Sequence, residues 1–363
     1  MSINRHSKKD FRRLFMECMT YFEDFISSIN LSSSDKEALK KAHHELKDNL
    51  QHDDDTKKMI VASFLQGSYK RNTGVRPMVG KTADIDVVLV TNINHEACTP
   101  NQALHRFVPF LEKYYPGKYQ IQGRSLGLKL GRVDLDLVPT AMMSNEGKKR
   151  LLESKLMASD EDYVNFSAKN NMNESLHPAE ALLIPDREAN TWERTNPIAQ
   201  IDWTIEKNRK CNYFYLSVVK SMKWWWRNIS KGERHPKSYP LEHFVGFCCP
   251  DGIDSVAKGV VSVFETIVQQ YPVKPYLSDH GVPEHDVFKR LSTSEYEYFY
   301  NQVINGAKLA RRAYDAEDIY DSVDLWRELF GMEFPEKTRP KQNTPGFSSG
   351  DHYTPEVPTG RFS

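Results

Sequence analysis

Three short segments carry the residue types of metal-assisted phosphoryl chemistry. Gly67-Ser68 ends an apolar run, Asp84-Ile85-Asp86 opens a β-branched run, and Asp134-Leu135-Asp136 lies within a third. Successive strand side chains point to opposite faces, so Asp84 and Asp86 share one face while Ile85, Val87 and Leu89 take the other. Two carboxylates roughly 6–7 Å apart along a strand, joined by a third from a neighbouring strand, can hold two divalent cations about 3.5–4 Å apart, as two-metal phosphoryl transfer requires. A lone Asp-x-Asp is more often a solvated edge pair. Here Gln66, Gly67 and Ser68 come first, and a Gly-Ser pair after a strand offers backbone N–H groups and a hydroxyl to a phosphate. The chemistry expected is nucleotidyl transfer. Asp134 and Asp136 lie on one face, so periodicity leaves open which of them is the third ligand.

Farther along, Lys220, Lys223 and Arg227 recur at i, i+3 and i+7 and share one stripe of a helix beside Trp224. The stripe is either a solvated face or a clamp for a triphosphate whose charge two cations do not fully neutralise. Ser238 and Tyr239 open the next helical pattern, where hydroxyl and helix-N-terminal N–H groups could donate to the same phosphates. The stretch from Gly74 to Thr82 looks like a P-loop. Five residues rather than four separate Gly74 from Gly80, however, and a strand pattern follows, so the match is accidental. Trp192, Trp203, Tyr213 and Trp224 to Trp226 read as core, and His43, His44, His280 and His285 as structural.

The elements that must position these groups follow from periodicity. Phe11, Leu14, Phe15, Cys18, Phe22, Phe25 and Ile26 predict an amphipathic helix. Ser34-Asp35-Lys36-Glu37 has capping-box spacing and opens a second. Strands are expected over 60–65, 85–91, 119–130 and 133–138, with a helix over 102–115 between them, an α/β or α+β layer pattern. Residues 145 to 200 read as polar connection with short helices. Helices are then expected over 199–226, 241–248, 255–270, 287–314 and 322–330. The stretch from Pro335 to Ser363 has the composition of a disordered tail, so truncation after Glu333 is expected to leave stability intact.

Composition excludes several classes. The chain has 363 residues, 39% hydrophobic and 27% charged, enough for two cores. Its 49 basic and 49 acidic residues cancel, which argues against strong non-specific nucleic-acid binding. Five cysteines without Cys-x-x-Cys spacing suit a reducing cytoplasm. No apolar run is long enough to span a membrane.

Taken together, these motifs resemble the polymerase-β-type nucleotidyltransferases and, more narrowly, the cGAS/DncV-like nucleotidyltransferases of bacterial anti-phage (CBASS) signalling, clade D above all. The resemblance is carried by Phe64-Leu65-Gln66-Gly67-Ser68 with Thr73 and Arg76-Pro77, by Asp84-Ile85-Asp86-Val87-Val88, and by Asp136-Leu137-Val138-Pro139. It continues in Ala199-Gln200-Ile201, Glu206 to Arg209, Lys223-Trp224-Trp225, Ser238 to His243 and Leu277 to Gly281. What it implies is an α+β fold, a polymerase-β-like core with an N-terminal helical spine over 1–190 and an α-helical domain over 191–334, followed by the tail 335–363. It favours Asp136 as third ligand beside Asp84 and Asp86, with two Mg²⁺ or Mn²⁺ ions. Lys223 and Ser238 would contact the donor triphosphate. ATP and GTP would be substrates, a cyclic trinucleotide the product and a nucleotide-activated effector its target. The closing Thr359 to Ser363 is similar to tails attached to other molecules by ubiquitin-like E1/E2-type machinery. Rivals are a linear CCA-adding or oligoadenylate-type polymerase and a non-catalytic nucleotide-sensing scaffold.

Overall fold

The computed structural model describes residues 18–141, 144, 181–231 and 235–337. The predicted helix start before residue 18, the short helices within 145–180 and the tail from residue 338 to Ser363 lie outside the described residues. Five strands form one mixed sheet in the order β1-β2-β5-β4-β3: Ile60–Gln66 (β1), Ala83–Ile93 (β2), Tyr119–Ile121 (β3), Leu126–Lys129 (β4) and Val133–Ala141 (β5). β2 and β5 run parallel at its centre, and β1 and β4 flank them antiparallel.

Alternation along the central pair sorts its side chains by chemistry. Ile85, Val87, Leu89, Leu135 and Leu137 face a core built with the helices Ser33–His52, Pro100–His105 and Val108–Tyr114. On the opposite face Asp84 and Asp86 are followed by Val88 and Val90, which pack with Phe64, Leu182 and Ile198. The apolar end of that face is therefore closed over by residues after 181, and the acidic end is left at the cleft.

Boundary differences from the sequence expectation have local causes. The helix expected over 102–115 is two helices, because Pro109 suits the first turn of a helix and not the interior of one. The second helix is capped by Ser32, whose Oγ accepts from the Asp35 amide at 3.0 Å, while Ser34 lies inside the helix. Residues 119–130 form a hairpin rather than one strand, closed where the Gln122 amide donates to the Ser125 carbonyl. The helix expected over 199–226 splits into Pro197–Lys210 and Tyr215–Ser230, with Asn212 and Tyr213 at positive φ between them. The long helix begins at Thr293, not Val287, behind a Ser292/Glu295 capping box. A second, two-stranded sheet, Leu182–Asp186 (β6) with Thr191–Thr195 (β7), occupies part of the predicted polar connection.

The helical half encloses its own core around Trp225, Phe244, Phe264 and Phe299, and Phe22 and Phe25 of the N-terminal helix, residues 18–29, pack into it. Trp224, Trp225 and Trp226 are buried as expected, but Tyr213 is 59% exposed and is no core residue. All five cysteines are free. Among the described residues no helix is long and apolar enough to cross a membrane.

Phe334 corrects the truncation expectation: it is fully buried against Phe22, Phe25 and Phe330. A chain ending at Glu333 is therefore expected to be about 3–5 kcal/mol less stable than one ending at Lys337, the usual loss for a deleted core phenylalanine. Urea denaturation of the two proteins checks it, and equal midpoints would count against the packing described.

Candidate active site

The acidic end of the sheet is assembled by strand register. Asp84 pairs with Asp134 and Asp86 with Asp136 across the parallel β2/β5 ladder, while Gln66 pairs with Asp86 across β1/β2. After Gln66 the chain must turn beside the Asp86 side chain, and Gly67 does so at φ +73°. A Cβ at Gly67 would stand 1.9 Å from Asp86 Oδ2, so this position tolerates no side chain. The turn is held by the Arg71 amide on the Gly67 carbonyl (3.2 Å) and by the Thr73 and Gly74 amides on the Ser68 carbonyl (2.9 and 3.1 Å).

The two candidates for the third carboxylate have different partners. Asp134 Oδ2 accepts a 2.6 Å hydrogen bond from Thr82 Oγ1. Asp136 Oδ1 accepts from Gln122 Nε2 at 3.0 Å, opposite Gly127 of β4, where a Cβ would meet that amide at 2.3 Å. Burial, then Asp84 and Asp136, push the Asp86 carboxyl up to about 7, against the pull of Arg71. Asp136 is raised by burial and by Asp84, with Gln122 acting in the other direction. Among the described residues no three metal-ligating side chains are already drawn together as a finished cage. The Asp84, Asp86 and Asp136 carboxylates instead stand as mutually repelling neighbours, and hard oxygen donors of this kind fit Mg²⁺.

The basic stripe is not a solvated face. Lys220 Nζ donates to Asn30 Oδ1 (2.8 Å) and Asn72 Oδ1 (3.3 Å), Lys223 Nζ to the Thr73 carbonyl (2.9 Å), and Arg227 Nη1 to the Arg76 carbonyl (2.7 Å). All three fasten the loop that follows the Gly67 turn to the helix Tyr215–Ser230. Lys223 is only 4% exposed, and burial pulls both lysines down to about 8.

Ser238 and Tyr239 open the helix Ser238–Cys248 as expected. Ser238 is exposed, whereas the Tyr239 hydroxyl donates to Asp279 Oδ2 at 2.6 Å and its ring lies 5.0 Å from the Arg71 guanidinium carbon. Asp279 is itself held by the amides of Gly281 and Val282 and by Gln200 Nε2. Sequence reasoning missed Thr82, Gln122 and, above all, Arg71 and Glu242. The 2.6 Å bond from Arg71 Nε to Glu242 Oε1 links residues 171 positions apart, and no local pattern announces such a pair.

Residues 16–151 match the family model described as the Second Messenger Oligonucleotide or Dinucleotide Synthetase domain. The chain is 38% identical to the cyclic AMP-AMP-GMP synthase of Enterobacter hormaechei over 389 aligned residues, covering 96% of this chain and 100% of that one. It is 29% identical to the cyclic AMP-AMP-AMP synthase of an Acinetobacter species, covering 88% and 86% of the two chains. Among solved structures, the fold is similar to that of Escherichia coli MS115-1 CdnC with ATP (TM-score 0.64, 16% identity, 87% of this chain and 98% of that one). It is also similar to the Vibrio cholerae DncV cyclic AMP-GMP synthase in complex with a linear intermediate (TM-score 0.59, 14% identity, 93% and 92%).

Proposed function

The chain belongs to the bacterial cGAS/DncV-like nucleotidyltransferases, and on that premise we propose that it condenses ATP and GTP into a cyclic trinucleotide second messenger, cyclic AMP-AMP-GMP. The observation that carries this is the register that sets Asp84 and Asp86 beside Asp136, with the Gly67 turn in contact with Asp86. The product follows the Enterobacter relative, matched over its full length.

Asp84, Asp86 and Asp136 would hold two Mg²⁺ ions, with Mn²⁺ as a substitute, which lower the pKa of an attacking hydroxyl and neutralise the leaving group. Gln66, Gly67 and Ser68 receive the triphosphate, and Gly67 brings backbone close to Asp86 where any side chain would intrude. In each step a ribose oxygen bonds to an α-phosphorus, the α–β anhydride breaks, pyrophosphate leaves and the hydroxyl proton passes to solvent. Three triphosphates thus give one ring and three pyrophosphates. Lys220 and Lys223 act on the phosphate through the loop at Asn72 and Thr73 that they hold, and Ser238 and Tyr239 line the helical wall facing it. The same proposal covers assignment to clade D, activation of a downstream effector in anti-phage defence, and conjugation through Ser363.

Two variants on one strand test the metal assignment. Asp136→Asn should reduce pyrophosphate release to background, whereas Asp134→Asn, which keeps an oxygen for Thr82, should cost no more than the roughly 10- to 100-fold typical of an outer-shell change. A greater loss from Asp134→Asn would move the third ligand by two residues.

A further inference from the structure

Arg71 stands at the end of the short helix Gly67–Lys70, 5% exposed and unused by the chemistry above. Its Nε donates to Glu242 Oε1 at 2.6 Å. One face of its guanidinium lies over the Tyr239 ring, and Tyr239 is itself tied to Asp279. Glu242 is equally buried and already well supplied, since its Oε2 accepts from Thr73 Oγ1 at 2.7 Å and lies 3.7 Å from Lys223 Nζ. Burial opposes its charge, but Arg71 and Lys223 hold its carboxyl below the usual range.

Glu242 therefore does not need Arg71 alone for neutrality. Among the described residues Arg71 donates a side-chain hydrogen bond only through Nε, which leaves both Nη groups without an acceptor. Arg71 closes the short helix that begins at Gly67, and the Gly67 turn lies directly against the Asp86 carboxylate, so the guanidinium belongs to the same loop as the carboxylate end of the cleft. A planar fork fixed along one edge and one face, with its remaining donors uncommitted, is the arrangement that recognises phosphate oxygens.

We propose that Arg71 binds the β- and γ-phosphate oxygens of the nucleoside triphosphate through its Nη groups, and that Glu242 is the positioning residue that aims it. This presupposes the nucleotidyl-transfer chemistry proposed above. The triphosphate and the three carboxylates together carry more negative charge than two divalent cations offset, and the pyrophosphate that departs keeps the same β- and γ-oxygens. Arg71 accordingly serves both substrate binding and stabilisation of the leaving group.

The test compares binding of ATP and AMP, by titration calorimetry with Mg²⁺, to the wild-type protein, Arg71→Lys and Glu242→Gln. Arg71→Lys keeps a charge but loses the fork, and should weaken ATP about 10- to 100-fold, as the loss of a charge-assisted contact does, while AMP affinity stays at the wild-type value. Glu242→Gln keeps one acceptor oxygen, for Arg71, and turns an amide N–H toward Thr73 Oγ1, which loosens the aim, and should reduce the ATP-to-AMP affinity ratio in the same direction by less. A merely structural role would lower the melting temperature and leave the ratio unchanged. An unchanged ratio in folded Arg71→Lys overturns the proposal, and if that variant does not fold, an unchanged ratio in Glu242→Gln does so. Wild-type protein that binds neither nucleotide would instead overturn the nucleotidyltransferase assignment.

Discussion

Asp86→Asn is expected to abolish product formation and, at the same time, to make the metal-free protein more resistant to heat at pH 8. Both effects have one cause. Asp86 faces Asp84 and Asp136 in a partly buried cleft, and its carboxyl is pushed from 3.8 up to about 7. A carboxyl whose folded pKa lies above its unfolded value favours the folded state least when ionised. The wild-type protein therefore loses stability as pH rises from about 4 through about 7 and keeps that loss above it. Asparagine fills the same space and cannot ionise. The difference in melting temperature should vanish near pH 4 and be largest at pH 8, while pyrophosphate release falls to background, as the proposed metal assignment requires. Thermal denaturation in EDTA across this pH range, beside a turnover assay with Mg²⁺, reads both. A variant that turns over at the wild-type rate would remove Asp86 from the metal site.

Gly67→Ala should be nearly as damaging, for a steric reason. The added methyl would stand 1.9 Å from Asp86 Oδ2, and the φ of +73° is strained for any L side chain. The Asp86 carboxylate or the whole turn must shift, and a displacement of about 1 Å in a reacting assembly costs on the order of a hundredfold in rate. The expected result is a fall in kcat of at least about that size with the far-ultraviolet circular dichroism of the wild-type protein. Unimpaired turnover would mean that the turn and Asp86 are not in the close approach described.

What the sequence disclosed here was local, and what it hid was long-range. Alternation put Asp84 and Asp86 on one face of a strand, and the ladder confirms that face. Periodicity could not choose between Asp134 and Asp136, which share a face, and their partners, Thr82 and Gln122, come from other segments. The Lys220, Lys223 and Arg227 stripe was legible as a stripe, but its destination was not. Its acceptors are Asn30 and, in the loop 72–76, Asn72 and two backbone carbonyls, which no helix pattern specifies. Pro109 broke a helix that hydrophobic spacing alone would continue. The β6 and β7 hairpin escaped notice because Thr191-Trp192-Glu193-Arg194-Thr195 carries two charges and has no fully buried residue. The Arg71 and Glu242 pair lay furthest from view, since its two members belong to different halves of the chain.

The Gly67 turn and the helical wall are joined by a small set of buried polar contacts, and this bears on how the cleft is kept in register. Glu242 takes Arg71 and Thr73 from the turn side and Lys223 from its own half, so one carboxylate spans the boundary. Breaking a buried pair by removing one partner strands the other without compensation. The geometry of the Gly67 turn thus depends on a residue from the other half of the chain.

The central claim is most directly tested by the product itself. The protein is incubated with ATP, GTP and Mg²⁺, the mixture is treated with phosphatase, and the survivors are identified by mass spectrometry. The expected result is a phosphatase-resistant ring with the mass of cyclic AMP-AMP-GMP, formed only when both nucleotides are present and absent with Asp86→Asn. A linear oligonucleotide that loses its 5′ phosphates to phosphatase, or no nucleotide product from folded, metal-supplied wild-type protein, would contradict the account.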